Sequence, residues 1–167
     1  MDCILFRHGI AVEPDEWKGP ESQRPLTPKG AEKTAEAAAG LASLGVKATH
    51  LLSSPLVRAV ETAKLIREAL PGKLEVRLCD ELVPEAPPDK LFPVLAALPE
   101  DACVVCVGHE PHLGATAGVM LFGQAVPGLA LKKAGAGCVR FDGAPQSKQG
   151  RLRWWLTPWQ LRHWGKP

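Results

Sequence analysis

Four apolar runs constrain this chain most: residues 2–6, 49–53, 74–78 and 103–107. Each is continuous rather than alternating. A strand with one wet face alternates polar and apolar residues. A strand covered on both faces does not, and that is the pattern of a parallel sheet between helices. Helical patterns lie between the runs. Thr27 and Pro28 pair a capping hydroxyl with a proline at the first helical position. Ala31, Ala35, Ala38 and Ala42 then recur at helical spacing. Ser54 and Pro55 repeat the start signal, Ala59, Ala63, Ile66 and Leu70 share a face, and Pro71-Gly72 stops it. "PPDKLFPVLAAL" offers a helix broken near Pro93, and Pro111 opens another that runs to about Phe122. After Gly128, "AGAGCVRF" and "GRLRWWLTP" read as two late strands around a polar turn, an antiparallel hairpin at one sheet edge. The expected fold is α/β: a three-layer α/β/α sandwich, its central sheet mostly parallel with an antiparallel edge strand. With 167 residues and no linker or repeat, residues 1–167 are expected to form a single domain.

Composition narrows the class. Hydrophobic residues make up 46% and charged residues 23%, which is ordinary for a water-exposed globular chain. A net charge of +2 gives no footprint for nucleic acid. No apolar run approaches the roughly 18 residues of a membrane span. No basic segment followed by an apolar stretch marks a leader, so the expected location is cytoplasmic. The five cysteines are odd in number and scattered through apolar stretches, as small buried residues of a reducing compartment are. Cys103 and Cys106 form C-x-x-C inside a strand, where residues three apart face opposite sides and cannot share a metal.

The unusual residues stand at strand ends. Arg7, His8 and Gly9 follow the first run. Ser53, Ser54 and Pro55 follow the second, with Arg58 one turn later. Gly108, His109, Glu110 and Pro111 follow the fourth. Parallel sheets bind ligands beyond the carboxyl ends of their strands, so two arginines and two histidines share one rim. The flanking glycines are expected to let backbone approach the ligand, and helix N-termini add N–H groups there. This donor-rich positive cluster suits a phosphoryl group. Arginine grips phosphate oxygens in a fork. A neutral imidazole can attack phosphorus, and a second, protonated one can stabilise the charge that builds on the oxygens.

"LFRHGIA", "SSPLVRAVETA" and "VVCVGHEP" together resemble the histidine phosphatase superfamily, the phosphoglycerate-mutase-like proteins. "RPLTPKG" and "LRWWLTP" look like its small SixA-type phosphohistidine phosphatase branch. The resemblance implies that His8 is the nucleophile, that Arg7, Arg58 and His109 complete the phosphate pocket, and that no metal or other cofactor is needed. Arg24 is implied near the pocket entrance, with a surface salt bridge as the other reading. Ester-cleaving relatives use a carboxylate between the third and fourth strands as general acid. Here Glu85 is the first candidate and Glu81 the second, and a solvated loop charge is the plain reading of Glu85. The implied substrate is a phosphohistidine on a phosphotransfer or signalling protein. Small phosphate esters or polyphosphate are the alternative, and a non-catalytic phosphate-binding module is the reading from another class. A monomer is favoured.

Three features stand aside. His109 and His112 form H-x-x-H without a third ligand, so His112 is expected to make a local polar contact or face solvent. His50 opens a strand and is expected to be structural. Trp154, Trp155, Trp159 and Trp164 among Arg151, Arg153, Arg162 and Lys166 could stack on single-stranded nucleic acid or dock a partner. The favoured reading is an edge strand and short final helix pinned by tryptophans.

Overall fold

The computed structural model describes residues 1–164. Among them are six strands: β1 (Asp2–Arg7), β2 (His50–Ser53), β3 (Val76–Leu78), β4 (Cys103–Gly108), β5 (Ala136–Arg140) and β6 (Arg151–Leu156). Five α-helices connect or follow them: α1 (Pro28–Ser43), α2 (Val57–Ala69), α3 (Leu91–Ala96), α4 (His112–Phe122) and α5 (Pro158–Trp164). The strands form one sheet in the order β3-β2-β4-β1-β5-β6. β1, β2, β3 and β4 pair in parallel, β5 runs antiparallel to β1, and β6 runs antiparallel to β5 at the sheet edge.

Alternation along the central strands sorts the core into two layers. Ile4, Phe6, Val105 and Val107 face α1, α2 and α5, against Ala37, Leu41, Ile66 and Leu161. Cys3, Leu5, Val104 and Cys106 face α3 and α4, against Leu91, Leu95, Leu113 and Met120. Strands covered on both faces need apolar residues at every position, which is why β1 and β4 read as unbroken runs. Cys103 packs with the first layer and Cys106 with the second, so the C-x-x-C pair points to opposite faces.

Three local expectations change. The third strand starts at Val76 and not at residue 74, because it pairs only with β2 at the sheet margin. Leu74 turns into the core before it, while Leu78 is 57% exposed. Pro93 does not break its helix. It is the third residue of α3, in the first turn, where N–H groups have no intrahelical acceptor to lose. α2 begins at Val57 with no side-chain cap, two residues later than Ser54-Pro55 suggested. By contrast Thr27 Oγ1 accepts from Gly30 N at 2.9 Å and caps α1 as expected. Trp154 and Trp155 sit on opposite faces of β6, each packed against one core layer. Trp159 and Trp164 are exposed, and Lys166 lies outside the described residues. Among the described residues no helix is long and apolar enough to cross a membrane.

α1 follows β1 onto one face, and α4 follows β4 onto the other. β1 and β4 are neighbours, so their connections diverge between them. Such a switch point leaves a crevice at the strand tips. α5 closes the first layer by lying on α1 at Gly40, where an added Cβ would run into the Leu161 carbonyl. Gly40→Ala should therefore destabilise the fold by about 1–3 kcal/mol. Helix propensity alone would change stability by about 1 kcal/mol in the opposite direction. The urea midpoint measures the sign.

Candidate active site

Backbone hydrogen bonds tie three strand ends together. His8 N donates to Gly108 O at 3.0 Å, and Ser54 N donates to Val107 O at 2.9 Å. The side chains of His8, His109 and Arg58 therefore leave a common rim, and all three are buried (6%, 2% and 4% exposed). The two imidazole centroids are 4.9 Å apart, tilted by 53°. Arg7 completes the cluster. Its Nη1 donates to Leu131 O at 2.7 Å. The Leu131 N–H donates in turn to Glu110 Oε1 at 2.8 Å, so the backbone of one residue lies between the guanidinium and a carboxylate.

The geometry fixes the reactive nitrogen of His8. Its Nδ1 lies 2.8 Å from Gly9 O. A carbonyl only accepts, so Nδ1 carries the proton and Nε2 keeps the lone pair. Burial pushes the His8 pKa down to about 3, with the Arg58, Arg7 and Lys133 charges acting in the same direction. His109 is pushed down to about 2 by burial, then by His8, Arg58, His112 and Arg7. Both shifts favour neutral imidazoles at ordinary pH. Burial and four cationic or titratable neighbours disfavour a positive charge on His109 by itself, so the expected protonated imidazole would need an anion beside it. A bound phosphate dianion would reverse the balance and raise both values.

Arg58 is held from outside the pocket. Its Nη1 donates to Glu21 O at 3.1 Å and lies 3.2 Å from Glu21 Oε1. Arg24 grips the same carboxylate with two nitrogens, at 2.7 and 2.8 Å, and donates to Val12 O at 2.6 Å. Arg24 is itself buried, and the salt bridge expected of it forms with the exposed carboxylate of Glu21, which also reaches Arg58. It orients Arg58 through Glu21. Glu85 is exposed and makes no hydrogen bond among the described residues, but its charge reaches Arg58. Glu81 accepts from Cys79 Sγ at 3.2 Å.

Several participants were not legible as such. Ser54 Oγ lies 2.9 Å from His109 Nε2, so the serine read as a helix start serves the imidazole. Thr62 accepts from Gly9 N at 3.0 Å and donates to Arg58 O at 2.7 Å, bracing the R-H-G backbone against α2. His112 is buried and makes the local polar contact expected of it, with Nε2 3.5 Å from Thr116 Oγ1, while its Nδ1 is unpartnered. Its signal was the i,i+3 spacing from His109, which puts both near the start of α4. The glycines do not open a path for a ligand. A Cβ on Gly9 would strike Thr34 Oγ1, and one on Gly108 would press on Leu113 and Leu82 O, so both are small because protein fills the space. Among the described residues, buried Arg7 Nε, Arg58 Nε and His109 Nδ1 have no partner, so polar atoms gather at this rim without a protein ligand.

Fold and site define an α/β protein with two histidines and two arginines gathered at a sheet switch point, an arrangement suited to a phosphoryl group. Residues 3–83 match the family model "Histidine phosphatase superfamily (branch 1)". An uncharacterized protein of Picosynechococcus sp. is 39% identical over 140 residues, 81% of this chain and 82% of that protein. The chain belongs to the histidine phosphatase superfamily and is a phosphatase of that superfamily. In fold it is similar to the protein histidine phosphatase SixA solved with tungstate. That match has a TM-score of 0.84 at 24% identity, over 96% of this chain and 99% of that one. It is also similar to the phosphoserine phosphatase of Entamoeba histolytica bound to 3-phosphoglyceric acid, with a TM-score of 0.70 at 20% identity, over 96% and 98%.

The depressed histidine values carry a stability consequence. As pH falls through the ordinary value near 6.5, the unfolded chain binds a proton that folded His8 refuses until about 3. The His8 contribution is therefore intact above 6.5 and lost progressively below it. Between about pH 7 and about pH 5, wild type should lose about 2 kcal/mol more than His8→Asn, read from urea unfolding at each pH.

Proposed function

We propose that this protein removes phosphate from phosphohistidine on a phosphotransfer or signalling protein, through a transient phosphohistidine on His8. The observation that carries the reading is the pairing of a neutral His8 Nε2 with cationic Arg7 and Arg58 in a buried, otherwise unpartnered pocket. Nε2 attacks phosphorus. A P–N bond forms to His8 as the P–N bond to the substrate imidazole breaks. Arg7 and Arg58 hold the phosphoryl oxygens and supply the positive charge, and the His109 imidazole joins them once the bound dianion raises its pKa. Water then attacks the same phosphorus, His8 leaves, and phosphate departs.

The leaving group decides how much acid catalysis is needed. A substrate imidazole departs neutral once its far nitrogen takes a proton, which solvent can give. An alkoxide needs a proton delivered at the bond that breaks. Glu85 is exposed and makes no hydrogen bond among the described residues, so nothing fixes its carboxyl at the bond that breaks. A pocket with strong clamps whose candidate acid Glu85 stands exposed fits the phosphohistidine substrate better. The second reading, small phosphate esters or polyphosphate, draws on the phosphoserine phosphatase fold and on the proximity of Glu85 to Arg58. A non-catalytic phosphate-binding module is the third reading. It would survive only if His8→Ala left the cellular role intact. In the favoured reading the chain works as a cytoplasmic monomer.

A phosphotransfer domain labelled on histidine with radioactive phosphate tests the proposal. Wild type should release label and become briefly labelled in an acid-labile form. His8→Ala should do neither, and Arg58→Ala should slow release by about 10²–10³-fold. No release by wild type would overturn the substrate assignment. Glu85→Gln should leave phosphohistidine turnover within about twofold, while a loss above tenfold on an aryl phosphate would assign Glu85 as an acid for esters.

A further inference from the structure

Next to the phosphate pocket lies a cleft of about 300 Å³ whose lining includes Arg7, Lys33, Lys132, Lys133 and Arg162 and no carboxylate. The cations come from separate elements. Lys33 stands on α1, Arg162 on α5, and Lys132 and Lys133 on the turn before β5. That turn is stitched to the catalytic segment. Ala134 N donates to Arg7 O and His8 O, both at 3.1 Å, and Arg7 N donates to Gly135 O at 3.0 Å. Ala134 adopts a φ of 62°, a conformation that non-glycine residues hold only under constraint. Arg7 belongs to both places, so the cleft adjoins the phosphoryl site.

The cleft is not neutralised. Lys133 meets Glu13 at 3.5 Å and Arg162 meets Glu36 at 3.4 Å, and both carboxylates are largely in water. Such pairs are weak and easily exchanged. Lys33 and Lys132 have no acidic partner among the described residues. The site also lacks the features of a second phosphate pocket. Gly30 N is committed to Thr27, Ala134 N to backbone carbonyls and Gly135 N to Lys132 O. Dense phosphate favours free main-chain N–H groups and open arginine forks. Spaced ammonium groups on flexible stems suit spaced carboxylates.

We propose that this cleft docks acidic side chains of the protein substrate, the carboxylates flanking its phosphorylated histidine. The proposal rests on the phosphohistidine reading above. Complementary charge at this distance from the reacting atom would raise the encounter rate and orient the substrate without touching the transferred group.

Two synthetic peptides test it, each with one phosphohistidine, flanked by glutamates in one and by serines in the other. Wild type should turn over the acidic peptide with a kcat/KM about tenfold higher, and added salt should shrink the preference. Lys33→Glu/Lys132→Glu should abolish or invert the preference while an aryl phosphate is still hydrolysed within about twofold of wild type. Lys33→Gln/Lys132→Gln gives the same reading with less perturbation should the charge reversal not fold. Equal turnover of both peptides by wild type, or a preference unchanged in both variants, overturns the docking site and leaves the phosphohistidine assignment standing. If neither peptide is a substrate but the aryl phosphate is, the phosphohistidine assignment falls. The unphosphorylated acidic peptide then decides the cleft. Inhibition of aryl phosphate hydrolysis that the variants relieve supports acidic docking, and its absence overturns it.

Discussion

The parallel pairing of β1 with β4 is the interaction on which the rest of the structure depends. Its register sets Arg7 opposite Gly108. One more hydrogen bond, His8 N to Gly108 O, extends the pairing past the strand end. Two histidines that are a hundred residues apart in sequence thereby stand 4.9 Å apart, centroid to centroid. The divergence of α1 and α4 to opposite faces keeps a helix from closing over them. A sheet buried on both sides is stiff because its neighbours are close-packed. Reacting groups mounted on its tips are held without any dedicated scaffold.

What was legible in the sequence follows from this. Buried parallel strands must be apolar throughout, so β1 and β4 announced themselves. Charged residues placed directly after such strands could not be core, so Arg7, His8, Arg58 and His109 stood out. What was hidden depends on direction, which spacing does not encode. Ser54 carries the same residue type whether it caps a helix or turns to His109. Gly9 looks the same whether a ligand or Thr34 needs the space. Arg24 and Glu21 lie in a loop without periodicity, so their grip on Arg58 had no pattern to reveal it. The edge strand β3 was over-read for a related reason. Leu74 is apolar because it packs into the core as the chain approaches the sheet.

Electrostatics makes the pocket a trap for anions rather than a stable charged cluster. Arg7 and Arg58 are both partly desolvated, and burial lowers the pKa of each. Each is partly offset by carboxylates, Arg7 by Glu110 across the Leu131 backbone and Arg58 by Glu21 in direct contact and by Glu85. None of these carboxylates hydrogen-bonds to the histidines. The two imidazoles accommodate the remaining positive field by staying neutral. Neutrality keeps the lone pair on His8 Nε2 that the proposed attack on phosphorus requires. A protonated His8 would have no lone pair to offer, and a pocket with a carboxylate against it would raise its pKa toward that state. The distance of Glu21 and Glu110 from His8 is therefore as consequential as their presence near the arginines.

The same reasoning separates catalysis from recognition. The buried half of the rim senses only a phosphoryl group, which many molecules carry, so it cannot by itself choose among substrates. Discrimination must come from groups the chemistry does not use. On this surface the cleft that shares Arg7 offers such groups, Lys132 and Lys133 before β5 and the basic residues facing them from α1 and α5. Their placement costs the nucleophile nothing, because the Lys133 charge pushes the His8 pKa in the same direction as burial does. A basic approach and a neutral nucleophile are thus compatible here. An acidic approach would oppose both anion capture and the depressed pKa of His8.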